Sequence, residues 1–190
     1  MKRPVHELIE RLESPERREL MNLDSVLSRL PMAPSLTVAD VGCGTGYFAL
    51  PLASQLTDGL IYAIDVSPEM LAIVDKKTAS ENRQNIKTVR SEEDKIPLPN
   101  GTVDGVLTAF VLHEADNLPA LLKEIGRILR PNGWIAVLEW KKEETSVGPS
   151  LDERLAPEDI AGEVAAMGIS LTEVHDINEN YYLALFTSNK

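Results

Sequence analysis

Apolar positions along the chain change period twice. Near the start, Val5, Leu8, Ile9 and Leu12 fall at i, i+3, i+4 and i+7, one face of an amphipathic helix. Ser14-Pro15-Glu16 reads as a fresh helix start, with cap, proline at the first helical position and acid in the first turn. Asn22 or Asp24 is placed to cap a third piece through Val26, Leu27 and Leu30. From Leu36 onward short apolar runs alternate with helical stripes. The runs are Leu36 to Val41, Leu60 to Asp65, Ile86 to Val89, Val103 to Phe110 and Trp134 to Leu138. Between them lie helical patterns beginning at Phe48, at Ser67-Pro68-Glu69, and at Leu118 with Leu121, Leu122, Ile125, Ile128 and Leu129 on one face. Pro131-Asn132-Gly133 is expected to break that last helix. A polar connection follows from Lys141 to Leu155, then a helix from Pro157 to Met167 ended by Gly168. Leu171–Ile177 and Tyr181–Phe186 flank Asn178-Glu179-Asn180 and read as an antiparallel hairpin. Five strands alternating with helices predict an α/β fold. The expectation is a doubly wound, mostly parallel seven-stranded sheet, with a C-terminal antiparallel hairpin and N-terminal helices. Residues 1–35 form an N-terminal helical segment, either packed on the sheet edge or acting as a lid, and 36–190 the core.

The densest chemical signal sits at the first junction of strand and helix. Asp40 lies near the end of the run Val38–Val41, and Gly42, Gly44 and Gly46 alternate after it. Glycines let a ligand approach the backbone closely, and the following helix start offers unpaired N–H groups. A dinucleotide fingerprint counted from Gly42 fails at Tyr47; counted from Gly44, its looser form is met by Ala49. Spacing alone therefore leaves a dinucleotide open. An acid at Asp40, however, would repel a pyrophosphate and argues for a ligand carrying positive charge. In such sheets ligands lie outside the carboxyl ends of the strands, and acids fall at three of them: Asp40, Asp65 and Glu92-Glu93. Asp65 lies about twenty residues past the glycines, where a carboxylate can accept ribose hydroxyls.

Composition removes several alternatives. The chain has 190 residues, enough for one sizeable core, and a net charge of -11 with a pI of about 4.8. That balance lacks the electrostatic footprint of a nucleic-acid binder. No apolar run approaches the roughly 18–20 residues of a membrane span, and Met1-Lys2-Arg3-Pro4 leads into a polar helix rather than a signal peptide. Cys43 is the only cysteine, so no disulfide forms within one chain and no multi-thiolate metal site is expected. Cys43 itself reads as a small buried spacer. The expected address is the cytoplasm.

The string Asp40-x-Gly42-x-Gly44-x-Gly46 resembles the first motif of the class I S-adenosylmethionine-dependent methyltransferases, and Asp65 resembles their acid motif. Ser91 to Asp104 looks like the family's acid-x-x-x-aliphatic-Pro stretch, and Ile128 to Gly133 like its turn into strand five, with Asn132 where glycine is usual. The segment around strand four is similar to the ubiquinone/menaquinone-biosynthesis methyltransferase group. The resemblance implies S-adenosylmethionine as cofactor. Asp40 would approach the methionine ammonium, Gly42, Gly44 and Gly46 would line the methionine and ribose, and Asp65 would take the ribose hydroxyls. Val66 and Met70 would lie against the adenine, with Glu92 facing its amino group and the Glu93 N–H its ring. Glu92-Glu93 departs from the family's usual Asp followed by a small residue.

Methyl transfer is an in-line displacement, and a general base is needed only if the acceptor must lose a proton. Val111-Leu112-His113-Glu114 follows strand four, so His113 is a candidate to orient the acceptor or take its proton. Glu114 is a candidate to orient His113 or to bind a cationic substrate. Glu139-Trp140 ends strand five on the same rim, where an indole can stack on an acceptor. No metal ligands are expected. With no inserted domain, cover for the substrate must come from residues 1–35, from 141–155, or from a second subunit in a homodimer. This favours a small-molecule acceptor. Deleting residues 1–30 is expected to spare the sheet. The functional expectation is an active methyltransferase on a small molecule. The alternative is a methyltransferase-like protein that binds the cofactor without turnover and acts through partners, and a nicotinamide-dependent oxidoreductase comes third.

Overall fold

A computed structural model describes residues 5–14, 21–145 and 147–189. Its centre is a seven-stranded sheet in the order β3-β2-β1-β4-β5-β7-β6. The strands are β1 (Thr37–Val41), β2 (Leu60–Asp65), β3 (Ile86–Arg90), β4 (Val103–Ala109), β5 (Leu129–Trp140), β6 (Ile169–Asp176) and β7 (Tyr181–Ser188). The first five run parallel, and β7 pairs antiparallel with both β5 and β6. The helices are α1 (Val5–Glu13), α2 (Leu23–Leu27), α3 (Ala49–Gln55), α4 (Pro68–Ser80), α5 (Leu118–Ile128) and α6 (Pro157–Val164). The chain winds outward from β1 through β2 to β3, then returns to place β4 on the other side of β1. This reversal makes β1 and β4 the switch point, where a crevice opens at the carboxyl ends.

Alternation along the strands divides the core in two. Val38, Ile61, Leu107, Ala136 and Leu138 face one layer with Leu52 and Val74 of α3 and α4. Val41, Ile64, Val106, Ile135 and Val137 face the other with Leu122 and Ile125 of α5 and Ile160 of α6. The strand and hairpin expectations hold, and caps form where the sequence places them. Ser67 Oγ accepts from Met70 N–H at 3.3 Å, and Asn22, rather than Asp24, caps α2. The helix start expected at Ser14-Pro15-Glu16 lies largely outside the described residues.

Two boundaries differ. The helix before β5 ends at Ile128, and Pro131-Asn132-Gly133 sits inside the irregular start of β5, between Leu129 paired to Val103 and Trp134 paired to Gly105. The helix thus stops ahead of the proline, as a breaker requires, and the pairing of Leu129 with Val103 begins β5 before it. The helix from Pro157 changes to a 3-10 turn at Ala165–Met167 and ends at Gly168 with φ 72°. The 1–30 segment also includes Met21, Val26, Leu27 and Leu30, which are buried in the sheet's first layer, so its removal would strip apolar cover from that layer.

Candidate functional site

The loop after β1 holds its shape through three left-handed glycines, with φ 73° at Gly42, 51° at Gly44 and 83° at Gly46. Side chains rarely adopt such values, so the alternating spacing is a backbone requirement. The loop is tied to β2, since Gly42 and Cys43 both donate N–H to Ile64 O at 2.8 and 2.9 Å. Its outer surface is covered from two sides. A Cβ on Gly42 would fall 2.2 Å from Val111, and one on Gly44 would fall 3.2 Å from Leu12 of α1.

Asp40 lies at the carboxyl end of β1, 1% exposed. Its carboxylate is bonded by the backbone of Ala49, at the start of α3, yet Oδ2 has no hydrogen-bond partner among the described residues. Burial, with the charge of Asp65 adding to it, pushes its pKa from 3.8 up to about 7. A buried carboxylate oxygen with no donor is costly unless something cationic meets it. Asp65, at the end of β2, is half-buried and braces the same loop. Its Oδ2 accepts Gly44 N–H at 2.8 Å and its Oδ1 accepts Ser67 N–H at 2.9 Å. Burial raises its pKa, and the backbone N–H bonds from Ser67, Gly44 and Val66 oppose that rise. The structure thus brings Asp40, the three glycines and Asp65 to one end of the sheet.

The remaining sequence candidates spread around this end. Val66 is exposed beside Asp65, whereas Met70 is buried at the first turn of α4. Glu92 and Glu93 are exposed just past β3, in a stretch whose continuation is pinned by Arg127 to the carbonyls of Ile96 and Leu98, both at 2.8 Å. Cys43 is buried, as expected of a spacer, and burial pushes its thiol pKa well above the usual range.

On the other side of the switch point, His113 sits in the 3-10 turn Leu112–Glu114 that follows β4. Its Nδ1 meets Glu139 Oε2 at 2.8 Å, while Glu114 Oε1 stands 3.8 Å from Nε2. Glu139, at the end of β5, is the partner that sequence reasoning placed on this rim without giving it that role. Its neighbour Trp140 packs edge-on against Phe110 and Tyr181, with centroids 6.0 and 4.7 Å away. Phe110 holds φ 59°, a strained value for an aromatic residue at the point where the chain leaves β4.

Sequence reasoning also missed Arg154. The stretch 141–155 reads as a polar connection, but Arg154 is 3% exposed and organises it. The guanidinium donates to the carbonyls of Pro149, Lys141, Glu143 and Val147 and to Thr145 Oγ1, and lies 5.4 Å from the Trp140 ring centre. A lone arginine in a polar run carries no local mark of burial. Among the described residues, no group of three or more His, Cys, Asp or Glu is placed to hold a metal ion, and no helix is long and apolar enough to cross a membrane.

Known proteins share this chain's sequence pattern and fold. A family model described as a methyltransferase domain matches residues 39–137. The demethylmenaquinone methyltransferase of Geobacillus kaustophilus is 29% identical over 124 residues, which cover 65% of this chain and 53% of that protein. The chain therefore spans about half the length of such relatives. A SAM-dependent methyltransferase from Aquifex aeolicus superposes with a TM-score of 0.88 at 31% identity, covering 98% of this chain and 99% of that one. The [4+2]-cyclase SpnF, at 19% identity and a TM-score of 0.76 over 87% of this chain and 80% of that one, shares the fold alone. The chain belongs to the S-adenosylmethionine-dependent methyltransferases.

Proposed function

We propose that the chain transfers the methyl group of S-adenosylmethionine to a small-molecule acceptor. One observation carries the reading: the buried Asp40 oxygen that no described donor satisfies, beside a three-glycine loop at the switch point. The methionine ammonium is the donor that this oxygen lacks. The backbone of Gly42, Gly44 and Gly46 lines the methionine and ribose, and Asp65, with lone pairs beyond those spent on Gly44 and Ser67, takes the ribose hydroxyls. Exposed Val66 offers an apolar surface to the adenine. Met70, buried in the first turn of α4, is assigned with it to the adenine side, and Glu92 with the Glu93 N–H to the ring edge. When bound, the cofactor supplies an electrophilic methyl on a sulfonium, and the chain's own task is to hold the acceptor in line with it.

A small acceptor is supported by the relatives, which are demethylmenaquinone methyltransferases. The acidic balance and single cysteine support a cytoplasmic site of action. Incubating the protein with methyl-labelled cofactor and a panel of small acceptors tests turnover. Label transfer to a small molecule is expected. Cofactor binding with no transfer to any member of the panel would favour the alternative, a binding protein acting through partners.

Within this reading α1 serves as a lid. Leu12 lies over Gly44, and Lys77 of α4 bonds both Glu13 Oε1 at 2.8 Å and Thr45 O at 2.9 Å, latching α1 to the glycine loop. Such a partly exposed pair is worth about 1 kcal/mol. Lys77→Met is therefore expected to speed dissociation of S-adenosylhomocysteine by about fivefold, read by stopped-flow displacement. An unchanged dissociation rate would remove the latch.

A further inference from the structure

We propose that His113 is the general base of the transfer and that buried Glu139, rather than adjacent Glu114, positions it, so that the acceptor is one that loses a proton as it is methylated. The substrate class is then a hydroxyl or comparable X–H group. A thioether or tertiary amine attacks with a lone pair and has no proton to lose. The inference rests on the methyltransferase reading above and deepens it.

The geometry goes beyond a single contact. Glu139 is 1% exposed and uses both oxygens to fix the turn that carries His113. Oε1 accepts Leu112 N–H at 3.0 Å and His113 N–H at 3.4 Å; Oε2 accepts Trp140 N–H at 3.3 Å and meets His113 Nδ1 at 2.8 Å. With Nδ1 committed as donor to a carboxylate, the neutral ring keeps its proton there and its lone pair on Nε2. A carboxylate that orients an imidazole in this way also stabilises the imidazolium once a proton arrives. The same turn reaches the cofactor loop, since Val111, two residues before His113, packs against Gly42.

The groups facing this imidazole all act in one direction. Glu139 comes from β5, Glu114 from the turn itself, and Glu153 from the 3-10 turn Leu151–Glu153 between β5 and α6. Tyr182 of β7 senses Glu139 from the far side, and its hydroxyl pKa is pushed above its usual range, chiefly by burial. Burial alone would lower the proton affinity of His113, but the bond and charge of Glu139, with the two other carboxylates, carry it above the ordinary value.

In the transfer, an acceptor lone pair forms the new bond to the methyl carbon as the S–C bond breaks with its electron pair left on sulfur. The acceptor's X–H pair stays on X, and the proton ends on His113 Nε2. The positive charge lost from sulfur reappears on an imidazolium paired to Glu139.

Side-chain NMR of the three histidines, assigned with His113→Gln, tests this without the natural acceptor. Wild-type His113 should show its neutral proton on Nδ1, and Glu139→Gln should lower its proton affinity at least tenfold. The decisive comparison is between wild-type complexes with S-adenosylhomocysteine and with sinefungin, whose protonated amine replaces the sulfonium. If Nε2 faces the transferred group, the cationic ligand should weaken proton binding at His113 by about three- to tenfold relative to the neutral one. A purely structural His113–Glu139 tie predicts equal titrations in both complexes, and that result would overturn the base. An unaltered titration in a folded Glu139→Gln variant would overturn the positioning role. If that variant does not fold, the two wild-type complexes decide the matter. Failure of the wild type to bind either ligand would instead remove the underlying reading, and this proposal with it.

Discussion

Asp40→Asn is expected to weaken S-adenosylhomocysteine by about 100-fold while leaving the unliganded protein at pH 8 as stable as the wild type or more so. The two effects have one cause. The Asp40 carboxylate is buried, and one oxygen has no donor among the described residues; in the proposed reading the ligand's ammonium brings one. A hydrogen bond between charged partners is worth about 1.5–3 kcal/mol, or roughly 10- to 150-fold in affinity. In the empty protein the same charge is a liability. Its folded pKa, raised from 3.8 to about 7, lies above the unfolded value, so the folded state holds the proton more tightly. The site's contribution to stability is therefore fully present below about pH 4 and lost as pH rises towards 7, an upper bound of about 4 kcal/mol. Asparagine removes that loss, and denaturation curves at pH 4 and pH 8 should show the variant's advantage growing with pH. Ligand binding reads the same group with the opposite sign. Wild-type affinity for S-adenosylhomocysteine should climb between pH 5 and 8 as Asp40 ionises and then level off, whereas in Asp40→Asn it should be flat. Affinity within twofold of wild type for the variant would remove Asp40 from the site.

Asp65→Ala is expected to lose both affinity and stability, because this carboxylate braces the loop and, in the proposed reading, also holds the ligand. Loss of the acceptor for Gly44 and Ser67 N–H groups should cost about 1–3 kcal/mol. The affinity for S-adenosylhomocysteine should fall about 10- to 100-fold or more, and Asp65→Asn, which keeps one carbonyl acceptor, should lose less. Since a disordered loop would also bind poorly, the loss alone does not identify the contact. A cycle with the ligand's 2′-deoxy and 3′-deoxy forms does. If Asp65 accepts the ribose hydroxyls, removing one costs affinity in the wild type and almost nothing in Asp65→Ala. Equal costs in the two proteins would leave Asp65 as a loop brace alone.

The parts legible in sequence are those written in local patterns. Strands β1 and β2 are short apolar runs with an acid at or near the carboxyl end, and the glycines at 42, 44 and 46 mark the turn that follows β1. The caps at Ser67 and Asn22 follow from residue type. What was not legible depends on residues far apart in the chain. His113 has an acid next to it at Glu114, so adjacency suggests the wrong orienting partner; Glu139, 26 positions away, reaches it only after β4 and β5 pair. The bond from Asp65 to Gly44 likewise exists only once β2 lies beside β1. Arg154 looks like part of a polar connection until the carbonyls of 141–149 turn inward around it. Leu12 is one stripe position among several, and nothing in its spacing says that it comes to lie over Gly44.

The central claim is that the acid-ended strands β1 and β2 and the loop between them hold S-adenosylmethionine. Calorimetric titration of the wild-type protein with S-adenosylmethionine, S-adenosylhomocysteine and NADH tests it most directly. The account predicts saturable binding of the first two at one site per chain and none of NADH. Binding of NADH with no heat from either sulfur ligand would contradict it.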